Sequence, residues 1–243
     1  MLILGIDTAT PWGTVALVQD EEVLFELTLK LGKGSGEYLL ALLERVLQKS
    51  GRRLAELNLI AVGEGPGSYT GIRIGLAAVS GIAAGLQLPV YGISTLRIIA
   101  ANACYSAGAT GMVAVALDAR RAEVYAALYQ LTSGVWREVI SPQAMRAETF
   151  AARLADYGAV TLCGAGGKNY RPIFETVPGI VLAPPDWDRP RAELAAEIAR
   201  QEWSPQLTTK LGKLTPEYLR KTEAELRLEE KLGVNQDRSN GCR

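Results

Sequence analysis

The sequence predicts an α/β protein assembled from two copies of one unit, β-β-β-α-β closed by a glycine turn. Three observations carry this. Residues 2–29 read as an apolar run, an aspartate, a small-residue turn and two further apolar runs ("LILGIDTATPWGTVALV", then "VLFELTL"), and residues 113–140 repeat that order ("VAVALDARRAEVYAALYQ", then "VWREVI"). Each meander ends its first strand on an aspartate, Asp7 or Asp118. Each is followed by a helical stretch, "EYLLALLERVLQ" or "AETFAARLADY", and then by a short buried strand running into glycines, "LIAVGEGPG" or "VTLCGAGG". Such repetition points to an internal duplication whose halves face each other across a cleft.

Taken in order, the opening "MLILGIDTAT" has no basic flank and reaches Asp7 quickly, so it reads as a buried strand and not as a signal peptide. In the first helix, Tyr38 to Leu43 are six consecutive apolar residues, which at about 100° per residue cover the whole circumference. That helix needs cover on both sides. The loop "GEGPGSYTGIRIG" then suggests a phosphate cradle, but it has no Walker lysine, and Ser68 stands where a dinucleotide fingerprint needs its third glycine. Gly63, Gly65, Gly67 and Gly71 are therefore expected to turn the chain tightly from strand into helix, with Thr70 as the N-cap. The helix from about Gly71 to Leu86 carries only Arg73 and Ser80 as polar side chains, and Ala77, Gly81 and Gly85 recur every four residues as a smooth strip. Each interior glycine costs roughly 1 kcal/mol of helix propensity, so close packing should offset it. From the residues alone, both helices are either sandwiched inside this chain or offered to a partner. Arg73, Gln87, Pro89 and the glycines argue against a membrane span over Ile72–Ile93.

Composition narrows the chemistry. A chain of 243 residues with 48% hydrophobic and 21% charged content is an ordinary globular protein, with room for two lobes. Its 26 basic and 26 acidic residues cancel, so nothing global marks a chain that grips nucleic acid by itself. Cys104, Cys163 and Cys242 are widely spaced and odd in number, as expected of core or tail residues in a reducing compartment, and the cytoplasm is the expected location. There is no histidine, which excludes a Ser-His-Asp triad, a Cys-His pair and any histidine metal cage. No catalytic residue and no metal site are assigned.

The duplicated unit, with an aspartate after each first strand, resembles the actin, Hsp70 and sugar-kinase superfamily. Within it, "ILGIDTAT", "GEGPGSYTGIRIG", "ALDARRAEVYAALY" and "PEYLR" together resemble the TsaB (YeaZ) family, accessory proteins of bacterial tRNA threonylcarbamoyladenosine synthesis. The resemblance implies two actin-like, ribonuclease H-like (ASKHA) lobes, 1–100 and 101–222, followed by an extension, 223–243, expected to be partly disordered. It implies a non-catalytic partner of TsaD, a catalytic relative whose metal is held by an HxxxH motif. With TsaE, the pair moves threonylcarbamoyl from its adenylate to the tRNA adenosine beside the anticodon. A chain without histidine cannot reproduce the TsaD site, and tRNA is expected to be met only through the complex. Two readings compete with this one: a glycoprotease-like peptidase, which would need a Ser-Lys pair or aspartate dyad that no spacing identifies, and a small-molecule kinase using Asp118.

The same resemblance assigns the surfaces. In TsaB proteins the two apolar helices build the dimer contact, which here implies Tyr38, Leu39, Leu42, Leu43 and Val46 on the first and Arg73, Ile74, Ala77, Gly81 and Gly85 on the second. A homodimer in isolation is allowed. A nucleotide is not required. Were ATP or ADP to bind, at the cleft or at the partner interface, Asp7 and Asp118 would face phosphate and metal, Thr8 and Thr10 would donate hydroxyls, and Gly164, Gly166 and Gly167 would let it lie against the backbone. The alternative is that these are turn residues retained from an ancestor. Family members often carry a histidine before the first helix, where this chain has Gly34 to Gly36, "GSG", so a more mobile loop is expected there.

Overall fold

The computed structural model describes residues 1–31, 35–107, 111–132, 135–207 and 214–220. The expected extension 223–243, Cys242 and residues 32–34 before the first helix lie outside them; Ser35 and Gly36 already belong to that helix.

The elements follow in order β1 (Leu2–Asp7), β2 (Trp12–Gln19), β3 (Glu22–Lys30), α1 (Ser35–Ser50), β4 (Leu59–Gly65), α2 (Tyr69–Leu86), β5 (Val90–Ser94) and α3 (Thr95–Ala107). The second half supplies β6 (Gly111–Arg120), β7 (Glu123–Thr132), β8 (Val135–Arg146), α4 (Ala147–Leu154), β9 (Val160–Cys163), α5 (Ala165–Asn169), α6 (Arg171–Phe174), β10 (Ile180–Leu182) and α7 (Ala192–Glu202). Two five-stranded sheets result, ordered β3-β2-β1-β4-β5 and β10-β9-β6-β7-β8. Each is an antiparallel meander extended by two parallel strands, β1 on β4 and β6 on β9. The duplication is thus present in strand order, direction and pairing.

Burial on both faces explains why β1 is a continuous apolar run. Leu2, Leu4 and Ile6 face a core closed by α1 and α2, while Ile3 faces the opposite core with Ile98 of α3 and Leu194 and Ile198 of α7. Gly5 sits where a β-carbon would overlap the Ala192 carbonyl oxygen, so α7 presses directly on β1. Although α7 comes late in the chain, its first residues are tied to the first sheet: Ala192 N donates to Thr14 Oγ1 at 3.3 Å and Glu193 N to Glu26 Oε1 at 3.1 Å. Between the sheets lies α3, with Leu96, Ile99, Ala100 and Ala103 packed against Val113, Val115, Leu117 and Tyr129 of the second. Cys104 and Cys163 are buried in that same core, and burial pushes their thiols up to about 11 and about 12.

One local expectation is corrected. The cap of α2 is Ser68 and not Thr70: Ser68 has extended backbone, and its hydroxyl accepts from Gly71 N at 3.2 Å. Helix formation begins two residues earlier than the glycine run suggested.

Candidate functional site

Where β1 ends, its backbone lies against the glycine loop and α2. A β-carbon at Gly67 would overlap the Ala9 carbonyl, one at Gly71 the Thr8 carbonyl, one at Gly75 the Thr8 hydroxyl, and one at Gly63 the Asp7 carboxylate. Ser68 N donates to Ala9 O at 2.6 Å, and Thr8 Oγ1 donates to Gly71 O at 2.7 Å. The glycines therefore let two backbones touch. Their role is architectural, and close approach accounts for them more fully than turning does.

Asp7 is locked into this junction. Its Oδ2 accepts from Thr95 Oγ1 at 2.7 Å and its Oδ1 from Ala9 N at 2.9 Å, and it is wholly buried. Burial pushes its carboxyl up to about 6, against the opposing pull of those two hydrogen bonds. Asp118, by contrast, is exposed on the second lobe and accepts from Arg120 N, Asn169 Nδ2 and Tyr170 Oη at 2.7, 2.9 and 3.1 Å.

A cavity of about 820 Å³ separates the lobes, lined on one side by Thr8, Thr10 and the start of α2 and on the other by Asp118, Arg120, Arg121 and Asn169. Of the expected nucleotide contacts, Thr8, Thr10 and Asp118 meet there. Asp7 does not, because it points into the β1–α3 junction. The glycine expectation also needs correction: β-carbons at Gly164 and Gly166 would overlap the β6 backbone at Ala116, and one at Gly167 would press on Leu162, so all three serve helix-on-strand packing. The hydroxyls of Thr8 and Thr10 are already bonded, to Gly71 O and to Trp12 O. Asp7 is wholly buried, each of its oxygens accepts one hydrogen bond, and it is not among the residues that line the cavity.

Sequence reasoning missed two features of the cavity wall. Arg120, Arg121 and Ala122 hold φ of 64°, 55° and 60°, three successive non-glycine residues in the left-handed region, and so present two arginines at the cleft. Residues 214–220 form a strap from lobe to lobe: Tyr218 stacks on Tyr69 with centroids 5.0 Å apart, Arg73 Nε donates to Tyr218 Oη at 2.9 Å, and Arg220 donates to Ala119 O at 2.6 Å. "PEYLR" was the available signal, but nothing local in it states where it docks.

Helices α1 and α2 lie side by side on the same face of the first sheet. They divide the expected interface residues in two. Leu39, Leu42, Leu43 and Val46 are buried at 5% exposure or less in this chain's own core, over β2 and β3 and beside α2, which corrects their assignment to a partner surface. The outward apolar side chains of α1 are instead Tyr38, Leu40 at 60% exposure and Ala41. On α2 the exposed strip runs through Arg73, Ala77, Gly81 and Gly85, Ile74 being half-buried, and β-carbons at Gly81 and Gly85 would meet open space. By length and composition α2 could cross a bilayer; Ile72, Leu76, Val79 and Ala83 of it are buried in the core.

The family model described as TsaD, tRNA N6-adenosine threonylcarbamoyltransferase, matches residues 32–165. Among relatives, the Escherichia coli (strain K12) tRNA threonylcarbamoyladenosine biosynthesis protein TsaB is 34% identical over 92% of this chain and 96% of its own length. The Bacillus subtilis (strain 168) protein of the same name is 28% identical over 93% and 96%. A Pseudomonas aeruginosa crystal structure, described as an uncharacterized protein with similarity to peptidase YeaZ, superposes with a TM-score of 0.79 at 30% identity, over 90% of this chain and 99% of that one. A ROK hexokinase from Thermus thermophilus, at 12% identity and a TM-score of 0.50 over 84% and 100%, shares the fold alone.

Proposed function

The chain belongs to the TsaB (YeaZ) family of tRNA threonylcarbamoyladenosine biosynthesis proteins, and from that premise we propose that it acts as a non-catalytic subunit docking on TsaD, its histidine-bearing relative. The observation that carries the proposal is the outer face of the α1–α2 pair. Tyr38, Leu40 and Ala41 leave apolar surface in water, and the Ala77, Gly81 and Gly85 strip admits a partner backbone closely. Core helices would have no reason to keep these positions apolar and small once their inner faces are filled.

The same face would serve a homodimer when TsaD is absent. TsaE would join the complex in the cytoplasm, and tRNA would be met only through the complex, the latter in keeping with this chain's balanced charge. Catalysis would stay with TsaD, because this chain has no histidine for an HxxxH site. The closed setting of Asp7 supports a role without bound nucleotide, and neither it nor the engaged Asp118 favours a peptidase dyad or a kinase base. ATP or ADP at the partner interface is compatible with this role and not needed for it.

Co-purification with the cognate TsaD tests the proposal, with a stable one-to-one complex expected. Gly81→Leu and Leu40→Arg should not lower the melting temperature, since neither position touches the core, while weakening association by about tenfold or more. Unchanged affinity in both folded variants would remove this face from the interface.

A further inference from the structure

Tyr69, Arg73, Ala77, Gly81 and Gly85 of α2 are exposed and fall four residues apart. At that spacing they form one ridge along the outer side of the helix. The ridge is graded from end to end. Gly81 and Gly85 have open space where a side chain would stand, so a second backbone can come close there. At the other end, about 18 Å back along the axis, aromatic rings build the ridge up.

The strap completes that build-up. Tyr218 stacks on Tyr69 at an interplanar angle of 26°, the Arg73 guanidinium carbon lies 4.0 Å from the Tyr69 ring centroid, and Tyr218 Oη accepts from Arg73 Nε. Tyr69 and Tyr218 stand at the rim of the cleft, whereas Arg73 is not among the residues that line it. The stack therefore runs from the rim onto the ridge and carries the surface of α2 across to the strap. Tyr218 is fixed from both sides. Glu217 N donates to Glu64 O at 2.8 Å, and Arg220 donates to Ala119 O at 2.6 Å and lies 3.3 Å from Glu123 Oε2. Yet Tyr69 and Tyr218 keep 39% and 40% of their surface in water. Rings already held in place lose little further entropy when a partner covers them, and tyrosine and arginine are the residue types that carry much of the binding energy at interfaces.

We propose that the stack of Tyr218, Tyr69 and Arg73 is part of the surface that docks on TsaD, so that the strap belongs to the partner contact together with α1 and α2, a conclusion that rests on docking of this face to TsaD. The TsaD family model matches residues 32–165, a span that includes both helices, so a TsaD protein carries a counterpart of this face. Two like faces meet most simply about an approximate two-fold axis. The graded ridge places that axis near Gly81 and Gly85, where a partner helix fits backbone to backbone. Helices that cross there diverge toward the Tyr69 end. The stack fills the resulting wedge with ring surface for apolar side chains of TsaD.

Site-specific cross-linking of the full chain mixed with TsaD tests the contact. Tyr218→p-benzoylphenylalanine keeps an aromatic ring in place and should cross-link to TsaD on irradiation, while the same replacement at Val181, exposed on β10 of the second lobe, should not. Tyr218→Ala should weaken association by about tenfold or more. A complex that Gly81→Leu weakens, with no cross-link from position 218, overturns this inference and leaves docking through α1 and α2 standing. Full affinity in folded Tyr218→Ala overturns it as well. Cross-linking only to a second copy of this chain would make the homodimer the occupant and overturns TsaD in that place. Absence of any complex between the parent chain and TsaD overturns the docking reading and this inference together.

Discussion

Asp7 lies wholly out of solvent with both oxygens engaged, and burial holds its carboxyl at about 6. An acid whose pKa is raised on folding binds its proton more tightly in the native state, so stability falls as pH rises from about 3.8 to about 6. Asp7→Asn should remove that dependence. Unfolding free energies of the two proteins from denaturant titrations should diverge by roughly 2–3 kcal/mol in favour of the variant between acid and neutral pH, with Thr95 turned to accept from the amide. Parallel profiles for the two would show that Asp7 is not the group that titrates. The identity of Asp7 was legible in the sequence as the residue ending a buried strand. Its engagement was not, because Thr95 lies 88 positions away.

Along α2, glycines of one helix should respond to alanine with opposite signs. At Gly75 a methyl group would collide with the Thr8 hydroxyl, which is itself fixed on Gly71 O, so Gly75→Ala should destabilise by several kcal/mol. At Gly81 and Gly85 a methyl meets nothing, so alanine there should stabilise by about 0.5–1 kcal/mol through helix propensity. Thermal melts of the three variants check both halves of the statement. Period and composition located α2 and α1, yet could not say which apolar residues faced inward. Leu42 and Leu40 differ by two places, with 2% and 60% exposure, and only the sheet beneath decides between them.

For the whole molecule, 26 basic residues against 26 acidic ones leave no net field to hold a polyanion. The isolated chain should bind tRNA weakly, with a Kd above about 10 μM at physiological salt. It should form no threonylcarbamoyladenosine until TsaD, TsaE, ATP and the threonylcarbamoyl adenylate are supplied. Tight, salt-sensitive tRNA binding by the pure chain, or sustained turnover by it, would contradict the subunit reading. The relation between the lobes is set by α3 between the sheets, α7 returned onto the first sheet and the strap across the cleft. None of these three belongs to the repeated unit.

The sequence by itself determined the duplicated unit, the strand runs, the two apolar helices and the absence of histidine chemistry. Those are properties of local pattern and composition, which are written in neighbouring residues. Only the tertiary structure decided that Gly63, Gly67, Gly71 and Gly75 are filled by the end of β1, that Gly164 and Gly166 are filled by β6, and that Glu217 comes to rest beside Glu64. Each of these depends on which backbone arrives at an empty position from far along the chain, and a glycine or a glutamate carries no local mark of what will be packed against it.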